Sequence, residues 1–520
     1  MNGAESLMRT AATAGVELCF ANPGTTEMHL VDALDHSDGI RGVLALFEGV
    51  VTGAADGYAR MSGKAAMTLL HLGPGMANGM ANLHNARRAR TPVLNVVGHH
   101  ATWQRNFDPP LNSDVETWAA PVSHWQRTTA TARQISRDTA DAIAATRQHP
   151  GQIATLVVPA DCQWDEAGDR IVPVSGVRGA RVCVASVERA AASLRDRKAL
   201  LLLGGSALGE RGLRAAGRIA KHAGVRLAGE TFAARLERGP HLPAIARVPY
   251  FPEQGADFFA GLDVVVLAGA LDPVAFFGYQ DGPSRLIPDG VEVQLLATPH
   301  DDGAAALEDV AAALDAGPEI DLPEPSRPPA PSGALNPANI AQAVLAHLPE
   351  NAIVVDEGIT SAGAFYPMST GAPAHSYLNL TGGAIGWGLP CSVGAALACP
   401  DRRVVVLEGD GSGLYTAQAL WTQAREGLDV TTLVFANDVY QILQIELARS
   451  GVSEPGPESL GLTDLSRPTI DWVALSGSLG VPATRVESAE DLATAFARSV
   501  GEPGPHLIEV KVGRGAVAVP

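Results

Sequence analysis

No run in this sequence approaches the ~20 consecutive apolar residues that a membrane-crossing helix needs, although 46% of its 520 residues are hydrophobic. Cysteine is scarce. The five present, Cys19, Cys162, Cys183, Cys391 and Cys399, are odd in number and nowhere spaced Cys-x-x-Cys. That argues against a disulfide framework and against a zinc site. The thiols read as small buried side chains in a reducing cytoplasm. The opening stretch MNGAESLMRTAATAG lacks the continuous apolar segment of a secretory signal, so a cytoplasmic location is expected. Basic residues are short as well: 38 Lys and Arg against 56 Asp and Glu leave a formal charge of −18. Nucleic acid and anionic membrane are therefore not expected partners, since both need clustered cations. Small anionic ligands remain allowed, because a helix N-terminus can hold them whatever the net charge.

What is present is an alternation of strand-like and helix-like segments, which indicates an α/β protein with mainly parallel sheets. The runs VLALF (43–47), AMTLLHL (66–72), VLNVV (93–97), ATLVV (154–158) and ALLLL (199–203) read as strands. So do DVVVLAG (263–269), AIVVD (352–356), VVVLEG (404–409) and TTLVFAN (431–437). Many are apolar at nearly every position, as strands covered on both faces should be. The length is too great for one core. A proline-rich stretch at 319–337 and a polar, Gly-rich one at 164–182 suggest three doubly wound domains near 1–165, 180–318 and 336–520. The first and third share a helix, strand, Gly-x-Gly, helix pattern, so a shared ligand crevice outside the carboxyl ends of their strands is expected.

The chemistry concentrates at RRVVVLEGDGSGLYTAQALW (402–421). Asp410 stands between two glycines at the carboxyl end of an apolar strand, and the next strand ends at Asn437. A tight capped turn would explain the four residues Gly409 to Ser412 alone. The pairing with Asn437 adds more: neighbouring parallel strands would bring a carboxylate and an amide oxygen to one edge. Such hard oxygens suit Mg²⁺, and a helix opening near Ser412 would offer N–H groups to a diphosphate.

Gly-Asp-Gly-Ser followed by Asn after an apolar strand resembles the thiamine-diphosphate motif. LFEGVVTGAADGYAR (46–60), TGGAIGWGLPCSVGAALA (381–398) and HLIEVKV (506–512) resemble three further segments of that family, in order and over most of the chain. The likeness is to the acetolactate synthase, pyruvate oxidase and benzoylformate decarboxylase group. It implies pyrimidine-binding, middle and diphosphate-binding domains, with thiamine diphosphate and Mg²⁺ as cofactors. It implies Asp410, Asn437 and the Val439 carbonyl as metal ligands, with Gly409, Gly411, Ser412 and Thr360 around the diphosphate. It further implies that Ile385 bends the cofactor, that the Gly383 carbonyl accepts from its amino group, and that Glu48 activates it. In the family's arrangement Glu48 reaches the cofactor of another subunit, so a homodimer or homotetramer is expected. The substrate class implied is a 2-oxo acid, decarboxylated with release of an aldehyde or with carboligation to a second carbonyl.

Histidines narrow the reading. His71 ends a strand just before a glycine turn, where the decarboxylases place a proton-handling histidine; a satisfied structural histidine is the plainer alternative. His99 and His100 end the next strand and point towards the same crevice, and Thr25 resembles the hydroxyl residue that meets the substrate carboxylate. Two departures stand out: LDPVAFFGYQDG (271–282) has no histidine where the decarboxylases have one, and DEGITSAG (356–363) replaces the Gly-Gln-His-type stretch of the synthases. GGSALGERG (204–212) reads as a structural turn, without a flavin fingerprint. An NAD-dependent dehydrogenase is the alternative raised by Gly73, Gly75 and Gly79, but the next strand does not end in the required acid. A catalytically degenerate regulatory subunit is the other, and such a chain has no reason to keep Glu48, Asp410 and Asn437 together.

Overall fold

The apolar runs above all overlap strands. The computed structural model describes residues 1–174, 179–280 and 282–515. Residues 175–178 of the expected 164–182 boundary, Asp281 of the 271–282 stretch and 516–520 of the third expected domain lie outside these.

The first segment supplies β1 (Leu18–Ala21), β2 (Arg41–Leu44), β3 (Ala66–Leu70), β4 (Val93–His99), β5 (Trp125–Thr128) and β6 (Ile153–Pro159). They pair in parallel in the order β2-β1-β3-β4-β6-β5. The middle segment supplies β7 (Ala199–Leu203), β8 (Arg226–Gly229), β9 (Leu236–Arg238), β10 (Ala246–Arg247), β11 (Val264–Ala268) and β12 (Glu292–Ala297). Five of these form a parallel sheet, β10-β8-β7-β11-β12. The last segment adds β13 (Ala352–Glu357), β14 (His375–Asn379), β15 (Val404–Gly409), β16 (Val430–Ala436), β17 (Ala483–Val486) and β18 (His506–Lys511). Its sheet runs β17-β18-β16-β15-β13-β14-β9. The last place is taken by β9, antiparallel to β14, so the middle segment caps what would otherwise be an open edge. Among the described residues no helix is long and apolar enough to cross a membrane.

Between the Gly303–Ala313 and Pro337–His347 helices there is no helix or strand among the described residues, as the proline-rich composition of 319–337 leads one to expect. The first and last segments meet through two helices rich in small residues, Glu48–Ser62 and Gly388–Ala398. A Cβ on Gly394 would lie 1.8 Å from the Ala54 carbonyl, and one on Gly57 2.0 Å from that of Cys391. Glycine is needed at both, and the close approach brings the two segments' strand–helix junctions into one region.

Candidate active site

Adjacent strands β15 and β16 pair in parallel register, Gly409 beside Phe435, so the residues that follow each emerge at one edge. Thr360, Gly383, Ile385, Gly409, Asp410, Gly411, Ser412, Asn437 and Val439 all line a single cavity of about 510 Å³. Asp410 is 4% exposed and anchors the edge twice: Oδ1 accepts from the Gly411 N–H at 2.9 Å and Oδ2 from the Asp438 N–H at 2.8 Å. Burial pushes its carboxyl up to about 6, against those two bonds. Asn437 Oδ1 accepts from the Val439 N–H at 3.1 Å. The turn between them needs Asp438 at φ +57°, a left-handed conformation that Asp tolerates better than most residues. The Asp410 carboxylate, with an amide and a carbonyl oxygen from the neighbouring strand end, is a hard donor set that could hold Mg²⁺ with phosphate oxygens completing the shell.

The helix expected near Ser412 is only one turn, Asp410–Gly413, followed by a 3₁₀ turn Leu414–Thr416. Ser412 turns its hydroxyl to Glu408 and to the Gly409 carbonyl rather than outward. Sequence reading missed Glu408 and Glu357, both fully buried. Glu357 accepts the N–H groups of Gly386, Trp387 and Gly388 at 2.9, 2.8 and 2.6 Å. A Cβ on Gly388 would lie 2.4 Å from Glu408 Oε2 and 3.2 Å from Glu357 Oε2, so the two carboxyls converge there. Burial, and then the charge of Glu357, hold the Glu408 carboxyl well above the usual range. Burial also pushes Glu357 up, to about 7, but its three N–H bonds work against that rise, so the proton is held more firmly on Glu408 than on Glu357.

Glu48, His71, Thr25 and His100 do not line this cavity. They gather at the carboxyl edge of the first sheet. Glu48 opens the Glu48–Ser62 helix, is 7% exposed and accepts from Asn78 Nδ2 at 3.0 Å. His71 is the N-cap of the Leu72–Ala89 helix and is followed by Leu72 at φ +48°. That left-handed leucine is strained, and it sits at the junction that presents the imidazole.

His71 Nδ1 lies 2.7 Å from Glu27 Oε2 and 3.3 Å from the Thr26 hydroxyl. The bond to Glu27 raises the imidazole above its ordinary value, in spite of partial burial. Thr25 is exposed on the same turn, so the hydroxyl nearest His71 is that of Thr26. His100 is half-buried, and desolvation followed by the charge of His71 lowers it. His99 is fully buried, accepts the His100 N–H at 2.7 Å and is pushed down to about 4, chiefly by burial; it is a neutral structural residue. Glu27 escaped the sequence reading because nothing local marks it. The signal lies at Gly98, where a Cβ would stand 1.7 Å from Glu27 Oε1.

Two family models match the chain: the thiamine pyrophosphate enzyme N-terminal TPP binding domain over residues 1–123, and the corresponding C-terminal TPP binding domain over 356–510. The chain is 50% identical over 517 residues to the putative acetolactate synthase large subunit IlvX of Mycobacterium tuberculosis, covering 98% of this chain and 99% of that protein. It is 30% identical to a benzoylformate decarboxylase of Pseudomonas aeruginosa, covering 95% and 96%. Among solved structures, a thiamine diphosphate-dependent 4-hydroxybenzoylformate decarboxylase of Rhodococcus jostii superposes with a TM-score of 0.86 at 25% identity, covering 99% and 100%. With matched models at both ends and relatives aligned along nearly its whole length, this chain belongs to the thiamine-diphosphate-dependent enzymes of the acetolactate synthase and benzoylformate decarboxylase family.

Proposed function

We propose that the protein is a Mg²⁺-dependent 2-oxo acid decarboxylase that releases an aldehyde, working as a dimer or dimer of dimers with each site shared between two copies. The observation that carries this reading is the division of the expected residues. The metal and diphosphate set lines one cavity, while Glu48 and the His71–Glu27 pair stand outside it. Both regions carry exposed apolar side chains: Phe276, Phe277, Leu443 and Leu462 at the cavity, Trp103 and Phe107 in the loop after His100. Unburied apolar surface of that kind suits contact with a second copy.

In this reading Asp410, Asn437 and the Val439 carbonyl would hold Mg²⁺, with the diphosphate against Gly409, Gly411, Ser412 and Thr360. The Gly383 carbonyl would accept from the pyrimidine amino group, and Ile385 would impose the bend. Thiamine diphosphate, when bound, supplies the electron sink for loss of CO₂. Glu48 of the second copy would bond to the pyrimidine ring nitrogen, its carboxylate steadied by Asn78. His71, tied to Glu27 through Nδ1, keeps Nε2 as the end able to give a proton to the product. Thr25 and His100 would stand at the rim where the substrate carboxylate enters. The domain limits 1–165, 180–318 and 336–520 are part of the same reading.

Carboligation is the second reading, favoured by the 50% identical relative described as a putative acetolactate synthase large subunit. A CO₂-release assay with thiamine diphosphate and Mg²⁺, across 2-oxo acids from pyruvate to benzoylformate and with product analysis by mass spectrometry, separates the two. Aldehyde as the product supports the decarboxylase; acetolactate from pyruvate replaces it with the synthase; CO₂ from none of the acids overturns both.

A further inference from the structure

Three asparagines, Asn78, Asn82 and Asn85, recur along the Leu72–Ala89 helix at i, i+4 and i+7, so they lie on one face. Asn82 and Asn85 are 3% and 0% exposed, an unusual burial for polar side chains unless their bonds are filled. Asn78 holds the Glu48 carboxylate. One turn on, Asn82 Nδ2 donates to the Gly49 carbonyl at 2.9 Å and to the Gly386 carbonyl at 3.2 Å. Its Oδ1 accepts from Asn85 Nδ2 at 2.9 Å. Asn85 then grips Ala384 from both sides, donating to its carbonyl at 2.8 Å and accepting its N–H at 3.2 Å. His84 bonds the Gly382 carbonyl at 3.0 Å. The backbone from Gly382 to Gly386, which includes Gly383 and Ile385, is thus held largely by a helix of the first segment.

We infer that Asn82 and Asn85 are positioning residues for the cofactor, and that Asn82 makes one helix serve two active sites. The inference rests on the shared-site reading above. In that reading the Gly382–Gly386 loop shapes the chain's own cavity, whereas Glu48 works in the cavity of the second copy. A single buried amide, bonded to the residue after Glu48 and to the residue after Ile385, ties those two pieces of backbone in fixed register. Loss of its donors takes one partner from each carbonyl, leaving Gly386 with the Thr416 hydroxyl at 2.9 Å and Gly49 with the Thr52 hydroxyl at 3.4 Å, and the direct tie between the two pieces of backbone is gone.

The test is Asn82→Asp, which keeps the size but turns an acceptor oxygen towards two carbonyl oxygens. Thiamine diphosphate affinity is measured by calorimetry with Mg²⁺ at pH 8 and pH 6, alongside turnover at saturating cofactor and the melting temperature without cofactor. The expected result is a dissociation constant raised about tenfold or more at pH 8, together with reduced turnover at saturation. Both should recover partly at pH 6, relative to wild type, because a buried carboxyl there regains a proton and can donate. Asn82→Ala should show the same two losses without the recovery, and serves as the second variant if the first does not fold. A lowered melting temperature with unchanged affinity in a folded variant would make Asn82 merely structural and overturn the inference. Weaker affinity with full turnover at saturation would remove the link to Glu48 and overturn the two-site claim. Failure of wild type itself to bind thiamine diphosphate would instead sink the reading on which the inference rests, and the inference with it.

Discussion

Glu27 places a carboxylate oxygen 2.7 Å from Nδ1 of His71, with Glu27 fully buried and the His71 side chain 22% exposed. The pair turns a strand-end histidine into a group that keeps its proton above the usual pH. Removal of the imidazole by His71→Ala should lower kcat for aldehyde release by about a hundredfold, the ordinary worth of a positioned proton donor. Steady-state kinetics on the holoenzyme check this, and turnover within twofold of wild type would take His71 out of its role.

The same pair sets a pH dependence. A histidine whose folded value is raised holds its proton below the unfolded value and loses it as pH rises through the folded one. The alkaline limb of kcat should therefore fall above the ordinary histidine range. Glu27→Gln removes the carboxylate that raises His71, so that limb should move to lower pH. An unmoved limb would assign it to another group.

At the opposite half, Asp410 in the metal-free protein is pushed up to about 6 by burial. A protonated carboxyl is a poor ligand, so Mg²⁺-supported cofactor binding should weaken as pH falls through about 6. Asp410→Ala should abolish the Mg²⁺ dependence, read as equal cofactor affinity with the metal and with a chelator. Retained Mg²⁺ dependence would refute the assignment.

The buried pair Glu357 and Glu408 should behave asymmetrically. Glu408 is raised by burial and by Glu357, so the protonated form is the one that suits the fold, and that contribution fades as pH rises through its folded value. Glu408→Gln imitates the protonated acid and should melt at least as high as wild type at pH 8 to 9. Glu357→Gln sets its new N–H donors among three backbone N–H groups and should lower the melting temperature at every pH. Thermal melts of both variants check this; equal losses would remove the asymmetry.

Much of this was legible in the sequence. The strands buried on both faces announced themselves as unbroken apolar runs, and the Asp410 edge was marked by glycines that leave few alternatives for the chain. Short strands were not: β14 reads HSYLN and β9 only LER, and they owe their place to neighbours rather than to local pattern. A helix is expected to open near Ser412, whereas it starts at Asp410 and ends after one turn at Gly413. Glu27, Glu408 and the asparagine face were invisible for a different reason. Each is defined by partners far along the chain, Glu27 by His71, and Asn82 by Gly386 at 304 positions' distance, and a sequence read locally carries no signal for such pairs.

The shared site can be tested most directly by mixing two inactive variants. Glu48→Gln damages only the first half and Asp410→Ala only the second. When the two are unfolded and refolded together, mixed dimers would contain one wholly intact site. Activity is predicted to return to about a quarter of wild type for random pairing of equal amounts. No return of activity, with mixed dimers demonstrated by mass spectrometry of differently tagged chains, would contradict the claim that each site is built from two copies.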